Sequence, residues 1–177
     1  MDLSIIFIGA AKLGFGLLVG IVGITTSARL IKRAIGLADI DAYIKSQNVA
    51  VGLSLGAAII AMGILVEPAV SRTFTALDLI QHTAQNWTEV LWIIAYAFGL
   101  TSASLLIGAA VIVSGVRAAI HLTPDLDEID EIASGNVACA IIQVAVIVVL
   151  ALLVREGLDT MLTGFLPLPE LGRVGPA

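Results

Sequence analysis

Four long apolar runs, at about residues 3–28, 49–68, 89–116 and 137–156, decide most of what this chain can become. Each reaches or exceeds the roughly 20 residues an α-helix needs to cross the hydrocarbon core of a bilayer. Together they take up more than half of the 177 residues, which leaves no room for a sizeable soluble domain. Charged residues make up 13% of the chain, whereas soluble domains carry about a quarter, so most of the surface is expected to face lipid. The start, Met1-Asp2-Leu3, has no basic region ahead of the first run, so that run reads as a retained span rather than a cleaved signal.

The second constraint is an internal repeat. Sliding the chain by 88 lays Leu3–Val66 on Leu91–Val154 without a gap, with 18 of 64 positions identical. Apolar matches come cheaply in such a chain, so the polar ones carry the weight. Arg29 meets Arg117, Asp39 meets Asp127, and SQNVA at 46–50 meets SGNVA at 134–138. The unit is two spans and a loop, used twice. An even number of spans inserts both copies in the same direction, related by a pseudo-two-fold axis along the membrane normal, with equivalent residues at equal depth. The expected fold is an all-α membrane protein. Its four transmembrane helices form two parallel-repeat hairpins, with short amphipathic helices at the interface. The first hairpin takes residues 1–70, an outer linker 71–88, the second hairpin 89–160 and a tail 161–177. Arg29, Lys32, Arg33, Lys45 and Arg117 lie in the two intra-repeat loops, against Arg72, Arg155 and Arg173 on the other side. This bias puts the loops in the cytoplasm and both termini outside.

Residues 123–133, TPDLDEIDEIA, read as a short helix with Thr123 as cap and Pro124 in its first position. Asp125 would also lie in its first turn. Asp127, Glu128, Asp130 and Glu131 give it an acidic face that could take a cation or a basic partner, or simply be solvated. Leu126, Ile129 and Ile132 make its apolar stripe. Between the repeats, Phe74, Leu77, Ile80, Ala84 and Trp87 share one helical face, and Thr75 with Asp78 suits a capping box. That pattern fits an amphipathic helix lying in the interface, with Trp87 and Trp92 in the aromatic belt. His82 and His121 have no companion ligands at metal-binding spacing and read as surface histidines.

Several polar residues interrupt the apolar runs. Asn48 and Asn136 stand just before the second and fourth spans, where each can cap a helix, or the pair can line a vestibule near the axis. Lys12 lies within the first run and either snorkels to the outer interface or faces a polar cavity or a neighbouring subunit. Glu67 and Arg155 are repeat equivalents and could pair across the axis, although Glu156 could take the arginine instead. Gln143 is expected to hydrogen-bond to another helix. Gly16/Gly20 and Gly52/Gly56 are GxxxG spacings, with Ser104/Gly108 a related pair, and all three favour close helix approach. Pro68 falls at the end of the second run. Cys139 is the only cysteine, so neither an intrachain disulfide nor a cysteine metal cluster is expected.

A duplicated hairpin whose second and fourth spans open on QNVAVGLSLGAAIIAMGIL and EIASGNVACAIIQVAVIVV resembles one bacterial inner-membrane family. This is the family of domain of unknown function 350, the YjfL-like proteins. The second copy matches its Gly-Asn-hydrophobic-Ala signature at Glu131, Gly135, Asn136 and Ala138. The first copy departs from it, with Gln47 in place of the glycine and Lys45 among the acids. The resemblance implies a four-span protein of the bacterial inner membrane, in a family associated with envelope stress and membrane maintenance. It carries no activity with it.

The sequence holds no nucleophile–base pair, metal-ligand cluster or phosphate loop, so no catalytic, cofactor or metal site is expected and the chain does not read as an enzyme. The net charge of −5 argues against nucleic acid. The expectation is a homo-oligomeric scaffold in the lipid bilayer that recruits a cytoplasmic or membrane protein. The alternative is a channel or transporter subunit, with Asn48, Asn136 and Lys12 around a path formed in an oligomer.

Overall fold

The computed structural model describes residues 3–34, 40–83, 87–122 and 126–164. Within them every regular element is an α-helix: α1 (Leu3–Ala34), α2 (Ile40–Lys45), α3 (Val49–Thr83), α4 (Trp87–Leu122), α5 (Glu128–Ser134) and α6 (Val137–Thr163). Four of them contain stretches long and apolar enough to cross a membrane, at Gly9–Ala34, Val49–Asp78, Leu91–Leu122 and Val137–Thr163. The protein is a multi-pass helical membrane protein. The loops carrying α2 and α5 lie at one end of the bundle, the loop end. The other end, where α1 and α4 begin, is the far end.

In cross-section the four long helices make a rhombus. α3 packs on α1, α4 and α6, and α4 packs on α1, α3 and α6, whereas α1 and α6 scarcely touch. The short diagonal is therefore α3–α4, and α1 and α6 sit at the distant corners. Burial follows this geometry: over an apolar 18-residue stretch of each helix, half of α3 is buried, but only 22% of α1 and 28% of α6. A pseudo-two-fold axis would exchange α1 with α4 and α3 with α6, and so demand an α1–α6 contact to match α3–α4. The bundle breaks its own repeat symmetry at this contact.

Met62, Leu65, Ile112, Val116 and Ile147 fill the middle, each nearly or wholly buried. Lipid is as apolar as these side chains, so what distinguishes the packed state is close fit and polar bonding between helices. The closest fits are on α4. A Cβ added to Gly108 would stand 2.7 Å from Met62 Sδ, and one added to Gly115 would stand 2.8 Å from Ile147 Cγ1 and 3.1 Å from the Ile147 Cα. Of the expected glycine pairs, Gly16 lies near the Phe74 ring and Gly52 near Ile44. Gly20 and Gly56 have nothing within 4 Å of such a Cβ.

Three expectations are corrected. Residues 74–83 are helical, but they continue α3 rather than forming a separate interfacial helix. At about 1.5 Å per residue α3 is about 52 Å long, well beyond a 30 Å hydrocarbon layer. The expected capping box does not form, because there is no helix start to cap: Thr75 Oγ1 donates to the Ser71 carbonyl at 3.1 Å and Asp78 is engaged by Lys12. Pro68 does not end the helix and lies inside it. Its missing N–H leaves the Ile64 carbonyl without its usual donor, which long apolar helices tolerate.

The cap at Thr123 and Pro124 and the carboxylate of Asp125 lie outside the described residues, as do Ala84 and the side chains of Ile80, His82 and Trp87. Within them α5 starts later, with Asp127 as its cap accepting from the Asp130 N–H. Trp92 and His121 are exposed.

Candidate functional site

The polar residues gather into two seams, one at each end of the bundle, and both join elements that are distant in sequence. At the loop end the two repeats use one backbone device. α2 closes with bonds from Gln47 N to Ile44 O (3.0 Å) and from Asn48 N to Tyr43 O (3.0 Å). α5 closes with bonds from Gly135 N to Ile132 O (3.1 Å) and from Asn136 N to Glu131 O (2.8 Å). This is the Schellman closure, and its turning residue takes a left-handed conformation. Gly135 does so at φ 99 without cost, while Gln47 does so at φ 60 with a Cβ in the way.

Both asparagines then cap the next helix. Asn48 Oδ1 accepts from Val51 N at 3.1 Å, and Asn136 Oδ1 accepts from Ala138 N and Cys139 N. Their amide nitrogens diverge. Asn136 Nδ2 donates to Glu131 Oε2 at 2.7 Å, inside its own repeat. The repeat equivalent of Glu131 is Tyr43, which offers no carboxylate. Asn48 Nδ2 reaches instead across to the last turn of α5, donating to Ala133 O at 2.8 Å and Ile132 O at 3.2 Å. These carbonyls lie in the last turn of a helix with no further turn beyond it; Ile132 O also accepts from Gly135 N. The asparagines therefore do not face each other across a vestibule.

The acidic residues of α5 do not make one face. Glu128 is 2% exposed and occupies the position filled in the first repeat by the buried Ile40. Glu131 is engaged by Asn136, and Asp127 caps the helix. Asp130 is left pointing outward. A seven-residue helix at the edge of a bundle must turn one side inward, and Glu128 falls on the side shared with Ile132.

At the far end, among the described residues, three ion pairs tie the helices. Arg155 Nη2 donates to Glu67 Oε2 at 2.7 Å across a sequence separation of 88, so the two members of one repeat position meet each other. Arg72 grips Asp159 through Nε and Nη2, at 2.8–3.1 Å. These two pairs, with Ser71, Pro68 and Glu156, line a cleft of about 280 Å³ between α3 and α6. Lys12 Nζ stands 2.6 Å from Asp78 Oδ1 and 5.6 Å from the centroid of the Phe74 ring. Phe74 also meets Phe15 edge to face. The lysine of α1 is held by a carboxylate and an aromatic face of α3, which offsets the cost of a charge in an apolar helix.

Lys12 and the asparagines thus sit at opposite ends and do not share a site. Gln143 is 1% exposed, and its Oε1 makes no hydrogen bond among the described residues. Thr101 Oγ1 and Ser104 Oγ, on the inner side of α4, are in the same position. The Arg72–Asp159 pair went unnoticed in the sequence. Its separation of 87 is one residue from the repeat period, so the register of two parallel copies already placed those residues at one depth. Gly115, which makes the tightest backbone approach of the described glycines, also stands four residues before the small Ala119, a spacing that could have pointed to it. Among the described residues no three His, Cys, Asp or Glu side chains are placed to hold a metal ion.

No curated protein and no solved structure matches the chain. A family model described as Domain of Unknown Function (DUF350) matches residues 5–158, which takes in both asparagine caps and most or all of each long helix. The chain belongs to the DUF350 family.

Proposed function

We propose that this protein is a non-enzymatic scaffold of the bacterial inner membrane, acting as a homo-oligomer that recruits a cytoplasmic or membrane partner in the upkeep of the envelope. The observation that carries this reading is the way its polar groups are used. Lys12, Asn48, Asn136, Glu67 and Arg155 are each bonded to another part of the same chain. Such bonds fix the bundle and leave assembly to its outward apolar faces. The orientation that goes with the reading has α2 and α5 in the cytoplasm and both termini outside, from the excess of Lys and Arg in the two loops. Asp127 and Asp130 are the exposed acids on α5 for a basic partner to meet.

A channel subunit is the second reading. It draws on the buried, unbonded oxygens of Thr101, Ser104 and Gln143, groups that water could satisfy. Labelling separates the two. In a Cys139→Ala background, single cysteines at Ser104 and Gln143 are treated with a membrane-impermeant maleimide from each side. The scaffold predicts no modification at either position, beside full modification of a cysteine at Asp130. Modification at Ser104 or Gln143, together with ion flux in proteoliposomes, would establish the channel instead.

A further inference from the structure

The broken symmetry of the bundle points to how copies join. In the second repeat, the crevice between α4 and α6 is filled by α3: Gly108 of α4 lies against Met62 and Leu65 of α3. The matching crevice in the first repeat, between α1 and α3, is a groove of about 360 Å³ lined by Gly16, Gly20, Gly23, Met62, Gly63 and Val66. Gly20 is the repeat equivalent of Gly108, and nothing stands within 4 Å of where its Cβ would be. The helix equivalent to α3 is α6, and the residues equivalent to Met62 and Leu65 are Leu150 and Leu153. Leu153 is 70% exposed, and α6 scarcely touches α1. The chain thus holds one filled glycine crevice, an open copy of it, and on α6 an outward face that copies the filling surface, with Leu153 exposed and Leu150 half-buried against its own core.

We propose that the α1/α3 groove of one protomer receives α6 of a second protomer, with Leu150 and Leu153 over Gly20, repeating between chains the α3–α4 contact made within each chain. The proposal rests on the homo-oligomer reading above and names its interface. The contact is head-to-tail, because the two surfaces differ, so it builds a ring if the rotation closes and a row if it does not. Helices in lipid associate through close approach at small residues, which a crevice floored by Gly16, Gly20 and Gly23 allows.

The test uses two full-length chains carrying tags of different size, both Cys139→Ala, one with Gly20→Cys and the other with Leu153→Cys. They are co-expressed, and the membranes are oxidised with copper-phenanthroline and oxygen. Only a contact between chains can give a disulfide of mixed size. Its yield is expected to exceed by at least tenfold that of a control pairing Gly20→Cys with Leu106→Cys, which lies on the outward side of α4. Gly20→Leu, whose Cβ has no atom of its own protomer within 4 Å and whose side chain would fill the groove, should abolish the assembly while leaving the protomer folded. A mixed product no greater than the control overturns the proposal. So does a doubly substituted chain that closes only on itself, which would mean that α6 of the same protomer swings into the groove. The mass of the protein in lipid nanodiscs separates the failures: an oligomer without the cross-link removes this interface and keeps the scaffold, and a monomer removes both.

Discussion

Asn48 and Asn136 are equivalent in sequence, and the structure predicts that removing them has unequal effects. Asn48→Ala deletes the cap on α3 and two bonds to α5 of the other repeat. A lost asparagine cap costs about 1 kcal/mol. Each inter-repeat bond adds about 1 kcal/mol, and the carbonyls of Ile132 and Ala133 lose a donor at the base of a bundle. The sum is about 2–3 kcal/mol. Asn136→Ala deletes a cap and one bond to Glu131, whose carboxylate is half-exposed and regains solvent, so the loss is about 1–2 kcal/mol. Asn48→Asp sharpens the contrast. It keeps the oxygen that caps α3 but turns a carboxylate toward two carbonyl oxygens, and should be as damaging as alanine. Unfolding in mixed micelles with rising SDS, followed by tryptophan fluorescence, gives the three differences on one scale. Equal losses for the two alanine variants, or an Asn48→Asp variant as stable as the parent, would refute the claim that Asn48 ties the repeats together.

Other expectations follow from the same geometry. Gln47→Gly should stabilise the protein by up to about 1 kcal/mol in the same assay, because it relieves a left-handed residue while adding some freedom to the unfolded chain. Gly115→Ala drives a methyl against the Ile147 backbone and should destabilise by about 1–3 kcal/mol, less up to about 1 kcal/mol of helix propensity. Gly56→Ala, with open space around it, should be neutral or stabilising. Reversing Glu67 to Arg or Arg155 to Glu should each lower thermal stability in detergent, and combining the two should recover most of the loss. Failure to recover would show that the pair does not bridge α3 and α6. Lys12→Met should leave Asp78 without its cation and lower stability, and pairing it with Asp78→Asn should restore stability.

The four spans were legible because apolar length is a property of sequence alone, and so is the 88-residue offset that lays one half of the chain on the other. The same register puts Glu67 opposite Arg155, and the structure has them bonded. Whatever depends on which helix lies across a diagonal was not legible. Repeat symmetry gives α3 and α6 the same neighbours, so nothing in the pattern indicated that α3 would be central and α6 peripheral. Asp78 reads as a capping residue when only its own segment is considered, and as a partner for Lys12 once α1 lies beside it. Pro68 looked like a terminus because proline usually is one, but α3 continues through it, with Ala69, Thr73 and Ala76 buried beyond it. The acidic run on α5 looked like one solvated face until the short helix turned Glu128 into the bundle.

The most direct test of the whole account is the structure of the full-length protein by cryo-electron microscopy in lipid nanodiscs. The account predicts several copies, each with the α3–α4 diagonal intact and α6 of one copy seated in the α1/α3 groove of the next. It also predicts no continuous water path past Thr101, Ser104 and Gln143. A monomer, or a ring whose centre is a water-filled channel lined by those residues, would contradict it.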